Sequence, residues 1–224
     1  VIGSASAFDS GGVATAEKCG IPDIRSNSLT DERNACSVCY PTQAGASNVS
    51  ADAGYAFYRR TERAATDKAA FLYIDVGGAA AQSDYIRRTA ESVGFRTVYT
   101  AGIDIMAFNY GPYAQKLKDA GAGFVNFIAA NDQAVRLAQA MDQIDYHPVI
   151  YDVTQEQYAP SYASAGGSSV DGTSVVLPHP LFSTAAPGSE AALYVDWLRQ
   201  VKPSASPTTT GLFAWSAARL FVQQ

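Results

Sequence analysis

Ala69-Ala70-Phe71-Leu72-Tyr73-Ile74-Asp75 is a continuous apolar run closed by an acid. Such a run marks a strand buried on both faces of a parallel sheet, because helices cover both sides of that sheet and leave no wet face to alternate with a dry one. Towards the C-terminus, helices and strands alternate with short links. The patterning predicts a helix at about 80–93, a strand at 95–100, a helix at about 110–120, a strand at 123–128, a helix at about 132–142 and a strand at 148–151. The second of these helices ends in Lys116-Leu117-Lys118-Asp119-Ala120-Gly121, where basic residues suit the helix C-terminus and glycine stops the turn. Three consecutive βα units imply right-handed crossovers and a doubly wound, mainly parallel α/β sheet.

Further on, Gln155 to Tyr162 reads as a short helix and Gly172 to Leu177 as another strand. Pro178-His179-Pro180 then makes a stiff extended crossing. Glu190, Leu193, Tyr194, Trp197, Leu198 and Val201 fall at helical spacing, and Thr210 to Phe221 reads as a last helix. On the N-terminal side, Val1-Ile2-Gly3 reads as a strand, and Val13, Ala14 and Ala16 as the face of a helix stopped by Gly20. Ile21 to Ile24 reads as a short buried strand that runs into the polar loop Arg25 to Thr30. A long irregular stretch reaches Asn48, and Ala51, Tyr55, Tyr58 and Glu62 then mark a helix to about Ala65.

Composition narrows the function. The chain has 224 residues, 47% of them hydrophobic and 17% charged, enough for one large α/β unit or two lobes around a sizeable core. A net charge of −5 disfavours a nucleic-acid-binding face, and Arg59-Arg60-Arg63 and Arg87-Arg88 fit the solvated faces of helices. No apolar run approaches the ~20 residues that span a bilayer. The three cysteines, Cys19, Cys36 and Cys39, are too few for a four-cysteine zinc site. Cys36 and Cys39 run into Tyr40-Pro41-Thr42, an irregular loop and not the helix that a thioredoxin-like dithiol opens. A loop-closing disulfide between two of the three, with the pairing open, fits an oxidising, exported location.

The inventory for catalysis is poor. The two histidines, His147 and His179, come with no G-x-S-x-G elbow, and His179 lies between prolines. Gly77-Gly78 and Gly121-Ala122-Gly123 fall short of G-x-G-x-x-G. These readings predict a protein that is not an enzyme and has no cofactor or metal.

The order of the pieces resembles the type I periplasmic binding protein fold, and within it the family that binds leucine, isoleucine and valine for ABC importers. The resemblance rests on Val1 to Ser6, Gly20 to Ile24, Phe71 to Asp75, Tyr113 to Ala122 before Phe124-Val125, and Gly211 to Phe221. It implies a two-lobed α/β fold in which residues 1–66 are the later part of an incomplete first lobe, 67–178 the second lobe, and 179–224 the crossing and return. It also implies further βα units before Val1 and more chain after Gln224. Hinge closure about crossings near 66–70 and 178–187 would clamp a small solute, most readily an amino acid, and deliver it to a membrane permease outside the cytoplasm. A ligand-sensing domain of a receptor or transcription regulator has the same fold and stands as the alternative.

Ligands of open parallel sheets settle outside the C-terminal ends of the strands. For an amino acid's carboxylate, Ser4, Ser6 and the backbone around Ala7 form an anion cradle, and Ser26, Asn27 and Ser28 add donors; serine and asparagine at such turns also serve as ordinary helix caps. Asp152 at a strand end is the preferred partner for the ammonium group, ahead of Asp132 and Asp75, with Asn131 in the neighbouring loop. Phe8 and Tyr151 supply apolar walls, as does Tyr110. The family commonly has a Tyr-Gly pair after the strand that opens its second lobe, where this chain has Gly77-Gly78, and Phe8 stands where small hydroxyl residues are usual. Branched-chain specificity therefore does not follow from the resemblance.

Overall fold

The structure, a computed structural model, describes residues 2–3, 8, 10–26, 28–42 and 51–223. In chain order its elements are α1 (Val13–Cys19), β1 (Asp23–Arg25), α2 (Asp31–Ala35), β2 (Cys39–Pro41), α3 (Ala53–Thr61), α4 (Arg63–Thr66), β3 (Ala69–Ile74), α5 (Ala79–Ser92), β4 (Thr97–Ile103) and α6 (Gly111–Asp119). They continue with β5 (Phe124–Ile128), α7 (Asn131–Gln143), β6 (Ile150–Val153), α8 (Pro160–Gly166), β7 (Ser174–Val175), α9 (Glu190–Val201) and α10 (Thr209–Val222). Two compact units result, one made of 1–48 with 177–224 and the other of 49–176.

The second unit, 49–176, holds a five-stranded sheet in the order β4-β3-β5-β6-β7, every pair parallel. The apolar run that predicted β3 forms its centre, flanked by β4 and β5, and every residue of β5 is buried. β4, at the edge, alternates between partly buried and exposed positions, as a strand with one wet face does. Leu72, Val125, Phe127, Tyr151 and Val153 pack on one face with Leu117, Leu137, Met141 and Tyr162 from α6, α7 and α8. Phe71, Phe124 and Ile150 pack on the other with Tyr55 and Tyr58 of α3 and Ala90 of α5.

This second cluster moves the expected boundary. The sequence reading placed residues up to 66 in the first lobe, but α3 and α4 pack on the second unit's sheet, and that unit begins at Val49. Tyr58 meets Phe124 at 5.8 Å between ring centroids and Tyr55 meets Phe95 edge-on at 6.1 Å. Arg59 donates to Thr66 Oγ1 at 3.0 Å and to Asp67 at 2.8 Å, which holds the α3–α4 corner. At the far end the unit closes at Val176.

In the first unit, β1 and β2 form a parallel pair, with Asp23 opposite Cys39, and Ile2 bridges in parallel to Ile24 on the other side of β1. α2 and β2 lie inside the stretch read as irregular. Thr30 caps α2 by accepting from Arg33 N at 3.4 Å, and Asp31 and Glu32 favour its N-terminal turn. The disulfide joins Cys36 to Cys39 and leaves Cys19 as a free, exposed thiol. α9 and α10 pack through Ala191, Tyr194, Val195 and Leu212, and α10 lies against β1. Among the described residues no helix is long and apolar enough to cross a membrane.

Candidate functional site

In the first unit, the parallel Ile2–Ile24 bridge and the Gly3 N to Ile24 O bond of 2.9 Å put Gly3 and Arg25 at the same end of their strands. The candidates Ser4, Ser6, Ala7 and Asn27 lie outside the described residues. Ser26 and Ser28, directly after β1, are both buried. Ser28 Oγ has no hydrogen-bond partner among the described residues. Phe8 is 62% exposed, so its ring is presented at the surface and not in the core.

Beneath these loops stands an ion cluster that the sequence reading did not single out. Arg33, with its side chain wholly buried, donates from Nη1 to Asp23 Oδ2 at 2.8 Å and from Nη2 to the Asp23 carbonyl at 3.3 Å. Arg25 Nε donates to Asp23 Oδ1 at 3.0 Å. Burial alone would raise the Asp23 pKa, but the two guanidiniums outweigh it and hold the carboxyl below the usual carboxylate value. The cluster ties the start of β1, two residues before the serine-bearing loop, to α2.

In the second unit, the loops after β3, β5 and β6 leave the same end of the sheet. Gly77 has φ 53°, in the left-handed region, so the glycine pair that replaces the family's Tyr-Gly meets a backbone requirement of this turn. Asn131 opens α7, half-buried, with its amide donating to Ser161 Oγ at 3.4 Å. Gln157, missed in the sequence, ties two of these loops together: its Nε2 donates to the Ala129 carbonyl at 3.0 Å, and its Oε1 accepts from Thr154 Oγ1 at 2.6 Å. The only sequence signal for it is its spacing of three from Thr154 at a turn start.

The remaining candidates point inward. Tyr151 is buried against α7, its hydroxyl donating to the Ala134 carbonyl at 2.9 Å, and burial pushes its pKa well up. Tyr110 is likewise core, packed on Phe127 and Tyr113. Asp152 lies on the opposite face from Tyr151, under α3. Asn126 Nδ2 donates to its Oδ2 at 2.8 Å and Tyr58 OH donates to its Oδ1 at 3.3 Å. Burial pushes the Asp152 pKa up to about 7, against the opposing pull of those two hydrogen bonds. Neither Tyr151 nor Asp152 presents a polar atom to the strand-end loops. Beyond β4, an open hollow is lined by Ala107, Phe108, Asn109, Pro112, Tyr113 and Lys116. No three histidine, cysteine or acidic side chains gather as a metal site among the described residues.

Parallel sheets packed with helices define the class, an α/β fold of the type I periplasmic binding kind. The chain belongs to the periplasmic binding protein family, whose sequence profile matches residues 1–224. No match was found among the curated proteins. Among solved structures it is similar to the leucine-, isoleucine-, valine-, threonine- and alanine-binding protein of Brucella ovis in its closed conformation, with a TM-score of 0.77, 12% identity, and coverage of 97% of this chain and 57% of that one. It is also similar to a solute-binding protein of an ABC transporter from R. palustris in complex with 4-hydroxybenzoate, with a TM-score of 0.73, 18% identity, and coverage of 99% and 59%. A third is the fatty acid ABC transporter substrate-binding protein of Thermomonospora curvata, with a TM-score of 0.74, 13% identity, and coverage of 99% and 57%. At these identities the likeness shows the fold, and the chain spans between 57% and 59% of the length of each.

Proposed function

We propose that this chain carries solute-binding loops of an extracytoplasmic binding protein that serves an ABC importer, and that it takes up a small carboxylate-bearing solute, such as an amino acid, without chemical turnover. The observation that carries the reading is Ser28 Oγ. It is buried with no partner among the described residues; a buried hydroxyl left unpaired costs about 1–3 kcal/mol, and a ligand carboxylate at the end of β1 would supply a bond. Ser4, Ser6, the backbone at Ala7, Ser26 and Asn27 join Ser28 in that donor set, with Phe8 as an apolar wall. The second unit has polar strand-end groups of its own, among them the half-buried Asn131 and the exposed carboxylates Asp75 and Asp132. Asp152 and Tyr151 drop out of the set because their polar atoms are already engaged in the interior. The unit 49–176 then corresponds to one lobe, with the rest of the chain in the other.

The similar structures are named for leucine, isoleucine, valine, threonine and alanine, for 4-hydroxybenzoate and for fatty acid, ligands that all bear a carboxylate. The carboxylate is accordingly the feature to test. A thermal-shift panel of amino acids, aromatic carboxylates and fatty acids is expected to give a selective rise, because a ligand at about 100 times its Kd stabilises by ~2.7 kcal/mol. Ser28→Ala should abolish the rise, while the matching amide or alcohol of the ligand should give none with the unaltered chain. A folded chain that no carboxylate stabilises, and that gives no binding heat by calorimetry, would overturn the reading.

A further inference from the structure

On the sheet face that α3 covers, the strand register sets Phe71, Asn126, Asp152 and Ser174 side by side on β3, β5, β6 and β7. The neighbouring row on the same face is apolar, with Ala69, Phe124 and Ile150. Asn126 and Asp152 are each 2% exposed. Tyr58 OH reaches down from α3 to lie 3.3 Å from Asp152 Oδ1 and 2.5 Å from Ser174 Oγ. One hydroxyl thus joins α3, β6 and β7, and Asn126 adds β5 at 2.8 Å.

The groups that face the Asp152 carboxyl are Tyr55 and Tyr58 from α3, Asn126 from β5 and Ser174 from β7; none is a cation. Both tyrosines are pushed up by burial and by the carboxylate, Tyr58 to about 12, so they stay protonated. Among the described residues Asn126 Oδ1 is buried with no partner, so the amide already faces the carboxyl with its donor. A protonated Asp152 can donate from Oδ1 to Tyr58 OH, which then donates to Ser174 Oγ, while Oδ2 still accepts from Asn126 Nδ2. An ionised Asp152 is acceptor-only and leaves a charge buried without a counter-ion.

The position of the cluster gives this chemistry a consequence. α3 is the first helix of the unit and β7 its last strand, and the unit begins at Val49 and ends at Val176. The two pack without slack: a Cβ on Gly54 would lie 2.9 Å from a Val176 methyl. We propose that the Asp152 carboxyl is a proton-operated anchor for α3 and β7, the elements through which the chain enters and leaves the second unit. Protonated, it closes the network with Asn126, Tyr58 and Ser174. Ionised, it draws in water, and α3 and β7 loosen together. The anchor operates whatever solute the protein binds.

Amide hydrogen exchange tests this in the unaltered chain and in Asp152→Asn, from about pH 5 to about pH 8, corrected for the intrinsic pH dependence of exchange. Protection of residues 53–61 and 174–176 is expected to fall, by up to about tenfold per pH unit, as pH rises to the carboxyl's midpoint and to level off above it, while α7 on the opposite face holds steady. In Asp152→Asn the same amides should be insensitive to pH. The carboxyl carbon of Asp152, followed by NMR in the unaltered chain, should titrate near neutrality, a readout that does not depend on the variant folding. A carboxyl that stays ionised down to about pH 5, an equal pH slope in Asp152→Asn, or a loss of protection shared with α7 would each overturn the proposal.

Discussion

Arg33 Nη1 donates to Asp23 Oδ2 at 2.8 Å, with the two side chains 0% and 5% exposed. The bond links the first residue of β1 to the middle of α2, and Arg33 Nη1 also lies 3.8 Å from Cys39 Sγ on β2. One guanidinium therefore gathers all three elements at the starts of β1 and β2. A sheet of two short strands has little apolar area to hold it, so this polar contact bears more of the positioning than it would in the second unit.

Removing one member of a buried ion pair strands the other, at a cost of about 3–5 kcal/mol. Arg33→Ala is expected to destabilise the first unit by that amount. Trp197 and Trp215, the chain's two tryptophans, both lie in that unit, on α9 and α10, so fluorescence-detected urea unfolding reports on it directly. Asp23→Asn with Arg33→Met should recover much of the loss, because the pair then leaves no buried charge. A single-variant cost within 0.5 kcal/mol of zero, the range of ordinary surface substitutions, would show that the pair is not structural.

The two buried carboxyls predict opposite pH dependences for the two units. Asp23 has its folded pKa held below the ordinary aspartate value, so its contribution is present above that value and lost as pH falls through the lower, folded pKa. Asp152 is raised to about 7, so the folded state binds more protons than the unfolded state between about 4 and 7. Its contribution is complete below that window and is lost as pH rises through it, on the order of 4 kcal/mol. Urea unfolding followed by tryptophan fluorescence for the first unit, and by exchange of β5 amides for the second, should give slopes of opposite sign across these windows. Asp152→Asn should flatten the second slope alone.

The strands β3, β5 and β6 were legible because an apolar run with no wet face has few other readings. α5, α6 and α7 followed from their periodicity and from stops such as Gly121. α2 and β2 were not, since four polar residues with an alanine, and three exposed or half-buried ones, carry no periodic signal; their order comes from Thr30, Arg33 and the parallel pairing with β1. The boundary at 48 was hidden for a related reason. The apolar face of α3 announces burial without naming the sheet it covers. At the candidate site, Ser26 and Ser28 could be placed at a strand end from sequence. Asp152 was read as a strand-end residue facing solute, when the register turns it under α3 beside Asn126, a juxtaposition visible only once strand order is known.

The Cys36–Cys39 bridge closes a short loop between α2 and β2, with a sequence separation of 3. Loop-closure entropy for so short a span is worth about 2 kcal/mol. Reduction is expected to lower the first unit's stability by that amount without unfolding it. Cys36→Ser with Cys39→Ser should reproduce the effect and abolish the response to reductant, while Cys19→Ser, at an exposed position, should change neither. A reductant effect that survives in the double variant would place the sensitivity elsewhere.

Gly123 precedes β5 and looks in the sequence like one of several glycines that end α6, yet its requirement differs from that of Gly121. Gly121 has φ 62°, and the need there is conformational. At Gly123 the need is space: a Cβ would stand 2.7 Å from Ala65 Cα on α4 and 3.1 Å from its Cβ. The backbone cannot retreat, because Gly123 N donates to the Lys68 carbonyl at 2.8 Å and its own carbonyl accepts from Ile150 N at 3.0 Å. Gly123→Ala should therefore push α4 off the sheet or break the start of β5–β6 pairing, at about 1–3 kcal/mol. Ala65→Gly in the same chain should restore little of it, since the nearest atom is a backbone carbon that this change leaves in place. Far-UV circular dichroism during urea unfolding gives the energies. Full rescue by Ala65→Gly would mean that the side-chain contact, and not the approach of the α4 backbone, sets the limit at this corner.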